Sequence, residues 1–205
     1  MPNIWTSRER RVLDRLDTQP KIQRFVEDLP YDPRGGFKSP RASLRDHQAQ
    51  CYSGALLAAA ALRYHGNPPL LVDLNVENDD EHVITVFKRS NHWGAVSKSN
   101  YSTLGYREPI YRTLKELVLS YFEGYFNRRG DKTLRGFTRP LNLERFDDLN
   151  WMTSEEYVEE IEDALTSMHH YPLLTQAMKR SLAKTSPRLL KAGLLGSNPR
   201  GLFKA

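Results

Sequence analysis

The chain has 205 residues, 30 Lys+Arg against 25 Asp+Glu, 39% hydrophobic residues and one cysteine. That length suits one domain, and the lone Cys51 excludes an intrachain disulfide and any multi-cysteine zinc or iron–sulfur site. No apolar run approaches the ~20 residues that span a bilayer, and Arg8, Glu9, Arg10 and Arg11 stand where a signal peptide would be apolar, so a cytoplasmic protein without cofactor or metal is expected.

In chain order, Thr6 and Glu9 have the spacing of a capping box and open a short helix carrying Val12, Leu13 and Leu16. Pro20 suits the first turn of a second helix with Ile22, Phe25, Val26 and Leu29 on one face, closed by Pro30. Residues 31–45 hold Pro33, Gly35, Gly36 and Pro40 and read as a loop. Gly35–Gly36 is too short for a phosphate loop. Residues 51–65 (CYSGALLAAAALRYH) form the strongest predicted helix, and Gly66 stands where a left-handed C-terminal cap belongs.

Three strand-like pieces follow: 70–74 (LLVDL), 82–88 (HVITVFK) and 93–98 (WGAVSK), the last two forming a hairpin across residues 89–92. A turn centred on Ser90–Asn91 pairs Lys88 with Trp93, Val86 with Ala95, Ile84 with Ser97 and His82 with Ser99. Ser97 and Ser99 then share His82's face of the sheet, Lys98 points to the other, and Asn100 joins them only if the strand end curls back. Thr113 and Glu116 open a helix through Leu117, Tyr121, Phe122 and Tyr125; residues 130–140 read as polar connection. Thr153 and Glu156 open an acidic helix with Val158, Ile161, Leu165 and Met168 inside, and His169–His170 reads as a helix-end pair. The order of elements is α+β.

Positive charge is concentrated at the C-terminal end. Residues 171–205 contain seven Lys or Arg and no acid, which leaves residues 1–170 with two more acids than bases. The division expected is a single domain over 1–170 and a basic, partly helical tail over 171–205, its leucines packing on the body and the chain beyond Ser197 disordered. Such a tail suits an acidic partner or a membrane surface, and no specific nucleic-acid binding is expected of the body.

Chemistry concentrates on Cys51. At the first turn of a helix, unpaired backbone N–H groups and the helix dipole favour a thiolate. A helix-borne thiol facing a strand-borne imidazole, here His82, is an arrangement that thiol nucleophiles use. Taken singly, each residue also reads as core; it is their conjunction that points to catalysis. The Cys51 backbone N–H, with the Gln50 or Gln48 side chain, is the candidate oxyanion hole. Asp79, Asp80 and Glu81 form an acidic turn before His82, either solvated or suited to a cationic substrate.

Residues 51–100 resemble the core of the transglutaminase-like superfamily of papain-type thiol enzymes. The resemblance lies in the Cys-led helix ending in LRYHGNPPLLVDL, the strand opening on His82 and the strand led by Trp93; DDEHVITVFK, WGAVSKSN and YREPIYRTLKELVLSYFEGY resemble an uncharacterised bacterial branch. It implies a core over about 45–105, with a Cys-bearing helix on a small antiparallel sheet flanked by helices. It also implies Cys51 as nucleophile, His82 as base, and an amide or peptide substrate that is hydrolysed. Where the family carries aspartate, four residues after the strand tryptophan, this chain has Ser97. A serine accepts the imidazole N–H but cannot balance an imidazolium with charge; Asn100 is the alternative third member. A catalytically degenerate binding or scaffold protein of the same fold is the competing expectation.

Overall fold

A computed structural model describes residues 4–33 and 36–203. Gly35 of the Gly-Gly pair and Lys204 and Ala205 of the tail lie outside the described residues.

The first two helices form as the sequence directs. In α1 (Ser7–Leu13) the Thr6 hydroxyl accepts from the Glu9 backbone N–H at 3.2 Å, and the Glu9 carboxylate accepts from the Thr6 N–H at 2.7 Å. In α2 (Gln19–Asp28) Pro20 sits in the first turn, and Ile22, Gln23 and Val26 are buried. The expected loop over 31–45 is corrected at its end, where α3 (Pro40–Asp46) starts with the Ser39 side chain as N-cap and Pro40 in the first turn. Proline here begins a helix, because its missing N–H is one the helix start leaves unpaired anyway.

Helix α4 (Cys51–Tyr64) is buried on all sides from Tyr52 to Arg63, as expected of an Ala/Leu helix with no polar stripe. Gly66 takes φ +78°; its N–H bonds Arg63 O at 3.0 Å and the Asn67 N–H bonds Leu62 O at 2.9 Å, the Schellman pattern that glycine permits.

Three strands follow as a meander: β1 (Leu70–Val76), β2 (His82–Arg89) and β3 (His92–Val96). The hairpin register is the expected one, with Val86 opposite Ala95 and Lys88 opposite Trp93. Ser90 and Asn91 both have positive φ, 50° and 61°, matching a two-residue turn that follows the strands' twist. The ladder ends at Thr85–Val96.

Sequence reading missed β4 (Arg107–Tyr111), the sheet edge beside β3. The next helix is shorter than expected: α5 (Leu114–Leu119) stops before Tyr121, and a 3₁₀ turn at Phe122–Gly124 follows. The stretch read as polar connection holds β5 (Leu134–Phe137), paired with β1; β6 (Leu141–Asn142) also pairs with β1. The acidic helix α6 (Val158–Thr166) begins five residues after Thr153, because the Thr153 and Ser154 N–H groups bond Asn150 O in a turn. The C-terminal stretch comprises β7 (Tyr171–Pro172), which pairs with β5, then α7 (Gln176–Arg180) and α8 (Pro187–Gly193).

Among the described residues the antiparallel sheet runs β4-β3-β2-β1-β5-β7, with β6 beside β1. Strand alternation divides its faces. Leu71, Val83, Phe87 and Val96 join the core around α4, and the Thr85 hydroxyl donates to Ala55 O at 2.6 Å. Val72, Leu74, Ile84, Val86 and Ala95 face the opposite way, toward Leu117, Val118, Tyr121 and Tyr125. The fold class is α+β, with helices packed on an antiparallel sheet. No helix among the described residues is long and apolar enough to cross a membrane.

Candidate active site

Cys51 and His82 line one cavity of about 40 Å³ at the end of the sheet. They reach it from different sides. Cys51 opens α4, on the odd-numbered face of β2, while His82 shares the other face with Ile84 and Val86. They meet because His82 is the first residue of β2, where the sheet ends and the cavity can pass around it.

His82 is 4% exposed, and its hydrogen bonds settle its tautomer. Nε2 lies 2.7 Å from Ser97 Oγ, and the Ser97 hydroxyl donates to Leu104 O at 2.5 Å. A serine has one proton to give, so Ser97 accepts from His82 Nε2–H and leaves Nδ1 with its lone pair. Among the described residues nothing bonds Nδ1. The Tyr125 ring stands edge-on to the imidazole with 6.3 Å between centroids. Burial lowers the imidazole pKa to about 4, so the ring is neutral at pH 7.

Ser97 is itself held from behind. The Gln23 side-chain amide donates to Ser97 O and accepts from Ser97 N–H, both at 2.9 Å, so a buried glutamine on α2 replaces the strand partner that the ladder lacks beyond Val96. Sequence reading passed over Gln23, although a polar residue inside the apolar stripe of α2 was the available signal. Lys98 points to the other face as expected. Its ammonium donates to Glu27 O at 3.0 Å and to Leu29 O, closing the carbonyl end of α2, and burial lowers its pKa to about 8.

Cys51 is half-buried. Its Sγ lies 3.0 Å from Gln50 Oε1 and 4.0 Å from Glu81 O, and no hydrogen bond among the described residues joins it to His82. The thiolate expected at the helix start is corrected: burial outweighs the dipole and pushes the thiol up to about 11, Asp80 and Asp73 adding to the rise. Gln50 is also not arranged as expected. Its Oε1 accepts from the Tyr52 N–H at 2.8 Å as the N-cap of α4, so the carbonyl end of the side chain serves the helix and the thiol. Only its Nε2 is left for an oxyanion. Gln48 is half-buried upstream and does not line the cavity.

Asn100, the alternative third member, does not orient His82. Its Nδ2 donates to Asn198 O at 2.9 Å, and its Oδ1 accepts from the Asn198 N–H at 2.7 Å. The chain beyond Ser197, expected to be disordered, is placed through Phe203, with Leu202 9% exposed. Residues 200–203 line a groove of about 520 Å³ over Cys51, together with Tyr31, Asp80 and Glu81. Asp79 is held by the Thr133 hydroxyl at 2.7 Å. Asp80 lines both cavity and groove with no bond to its carboxylate among the described residues, and burial raises its pKa.

A second buried pair escaped sequence reading. His170 Nε2 bonds Asp73 Oδ2 at 2.7 Å, and Asp73 is fully buried in β1 with Oδ1 unpartnered among the described residues. Burial drives the Asp73 pKa up to about 6, against the lowering effect of the His170 bond.

Compared with known proteins, the chain matches no family model and no curated protein.

Proposed function

We propose that the protein is a thiol hydrolase acting on an amide or peptide bond, of the transglutaminase-like type that its sequence resembles. The observation that carries this reading is that His82, its Nδ1 without a bond among the described residues, lines a cavity shared with the only thiol of the chain. In the reaction, Cys51 Sγ attacks the substrate carbonyl as its proton passes to His82 Nδ1. The Cys51 backbone N–H, at the start of α4, receives the developing oxyanion, with Gln50 Nε2 as second donor. The imidazolium then gives its proton to the leaving nitrogen, and water hydrolyses the thioester, restoring the thiol and releasing the acid. Ser97 and Leu104 O polarise toward the charged ring without neutralising it.

Proton affinities place the resting state at neutral thiol and neutral imidazole, so proton transfer accompanies attack rather than preceding it. A reducing cytoplasm suits such a nucleophile. The cations Arg180, Arg188 and Lys191 are exposed on the C-terminal stretch, available to an acidic partner or an anionic membrane surface.

A second reading, a binding module of the same fold, is favoured by two observations: the neutral Ser97 stands behind His82, with no acid there among the described residues, and the resting thiol is not activated. Labelling with a peptidyl chloromethyl ketone separates the readings. The hydrolase labels at Cys51 with saturation and at least tenfold faster than His82→Ala; equal rates assign the binding module.

A further inference from the structure

We propose that residues 198–203 are the outer wall of the substrate groove, held by Asn100 as a positioning residue, and that this wall selects an extended, peptide-like acyl chain over a bare small amide. The proposal rests on the reading of Cys51 as nucleophile and names what that site accepts.

The attachment is specific. Asn100 binds the backbone of Asn198 through both ends of its amide, 2.9 and 2.7 Å, as a strand partner would. The Asn198 side chain accepts from the Arg200 N–H at 3.0 Å, turning the chain back toward the site. Gly201 then lies so close to the Tyr31 ring that a Cβ there would stand 2.5 Å from Cε1. Tyr31 is fixed in turn beside the nucleophile, since the Asp32 N–H bonds Ala49 O and the Ala49 N–H bonds Pro30 O, both at 3.2 Å. The wall and the thiol are therefore built on the same short stretch of backbone, and the groove between them has the ~300–1,000 Å³ typical of ligand sites.

The test follows Cys51 alkylation by intact mass in the full chain, Asn100→Ala, Asn100→Asp and a chain ending at Ser197, using iodoacetamide and a dipeptidyl chloromethyl ketone. A wall predicts opposite changes. In Asn100→Ala and the truncated chain iodoacetamide labels about fivefold faster, while the half-saturating concentration of the peptidyl reagent rises at least tenfold. Asn100→Asp, which keeps the acceptor and loses the donor, falls between. Melting temperatures distinguish a displaced wall from an unfolded domain. Unchanged constants for both reagents overturn the proposal, and so do faster rates with both, which report loss of packing. If the full chain shows no saturation with the peptidyl reagent, the hydrolase reading fails. The selectivity for an acyl chain then falls with it, and only the shielding of Cys51 by residues 198–203 is judged by iodoacetamide: a fivefold rise at an unchanged melting temperature sustains the shielding and an unchanged rate overturns it.

Discussion

His82 Nε2 donates to Ser97 Oγ across 2.7 Å, and the Ser97 hydroxyl donates in turn to Leu104 O. The chain of bonds orients the imidazole and fixes its tautomer, yet ends on a carbonyl dipole instead of a carboxylate. A neutral partner cannot pull the ring's proton affinity upward, and burial holds it at about 4.

Replacing Ser97 by aspartate therefore changes the chemistry in a stated direction. An anion behind His82 stabilises the imidazolium, so the acid limb of the labelling profile moves from about 4 toward the ~6.5 of a free histidine or beyond. Labelling of Cys51 by a peptidyl electrophile at pH 7 rises at least tenfold in Ser97→Asp, a modest share of the ~10⁴ that loss of the acid costs a serine triad. Ser97→Ala falls below wild type, since Nε2–H loses its acceptor. Rates indistinguishable among the three proteins contradict a base role for His82.

Cys51 reactivity gives a second measurement. With the thiol pushed up to about 11, its iodoacetamide rate keeps climbing through pH 9 and reaches half its plateau near that value. The resting thiol bonds Gln50, not His82, so His82→Ala leaves the midpoint in place. Gln50→Ala removes both the thiol's acceptor and the cap of α4, costing about 1 kcal/mol of stability. A wild-type midpoint below 8 shows the helix dipole winning over burial.

The buried His170–Asp73 pair predicts a pH-dependent stability change. His170→Ala leaves a fully buried carboxylate unpaired, costing about 3 kcal/mol at pH 8. The folded-state pKa of Asp73, about 6, lies above its ordinary value, so the fold binds this proton more tightly than the unfolded chain does. Acidification through pH 6 thus relieves the charge, and the deficit of the variant narrows by pH 5. Urea titrations at the two pH values measure both numbers. A deficit that stays constant assigns His170 to packing alone.

These pairs mark what one sequence makes legible. Capping residues, the apolar α4 and the Ser90–Asn91 turn act within a few neighbours, so the first helices and the hairpin register could be read directly, and Ser97 followed from that register. Gln23 meets Ser97, Asp73 meets His170 and Asn100 meets Asn198 across 74, 97 and 98 residues. No local pattern specifies such pairings. Asn100 was expected as an alternative residue to orient His82, but its amide is taken by Asn198 from the far end of the chain. Strand β5 was missed because Arg135 and Gly136 dilute a short run whose pairing with β1 comes from tertiary packing.

Gly54 is where the nucleophile's helix lies against Lys98, the neighbour of Ser97 beyond the end of β3. A Cβ at Gly54 would lie 2.4 Å from Lys98 Cβ and 2.8 Å from Lys98 Cγ. Those atoms are the base of a side chain whose ammonium is tied to Glu27 O and Leu29 O, so they cannot swing aside. Gly54→Ala must push α4 from the end of β3 or break the Lys98 contacts, at about 1–3 kcal/mol, although alanine is the better helix former by ~1 kcal/mol. Because Lys98 adjoins Ser97, the displacement also loosens the bond from His82. The expected result is a lower melting temperature together with slower peptidyl labelling of Cys51. Gly54→Ala combined with Lys98→Gly, which removes both clashing atoms, regains labelling relative to Gly54→Ala alone. A Gly54→Ala protein as stable and as reactive as wild type contradicts this close approach.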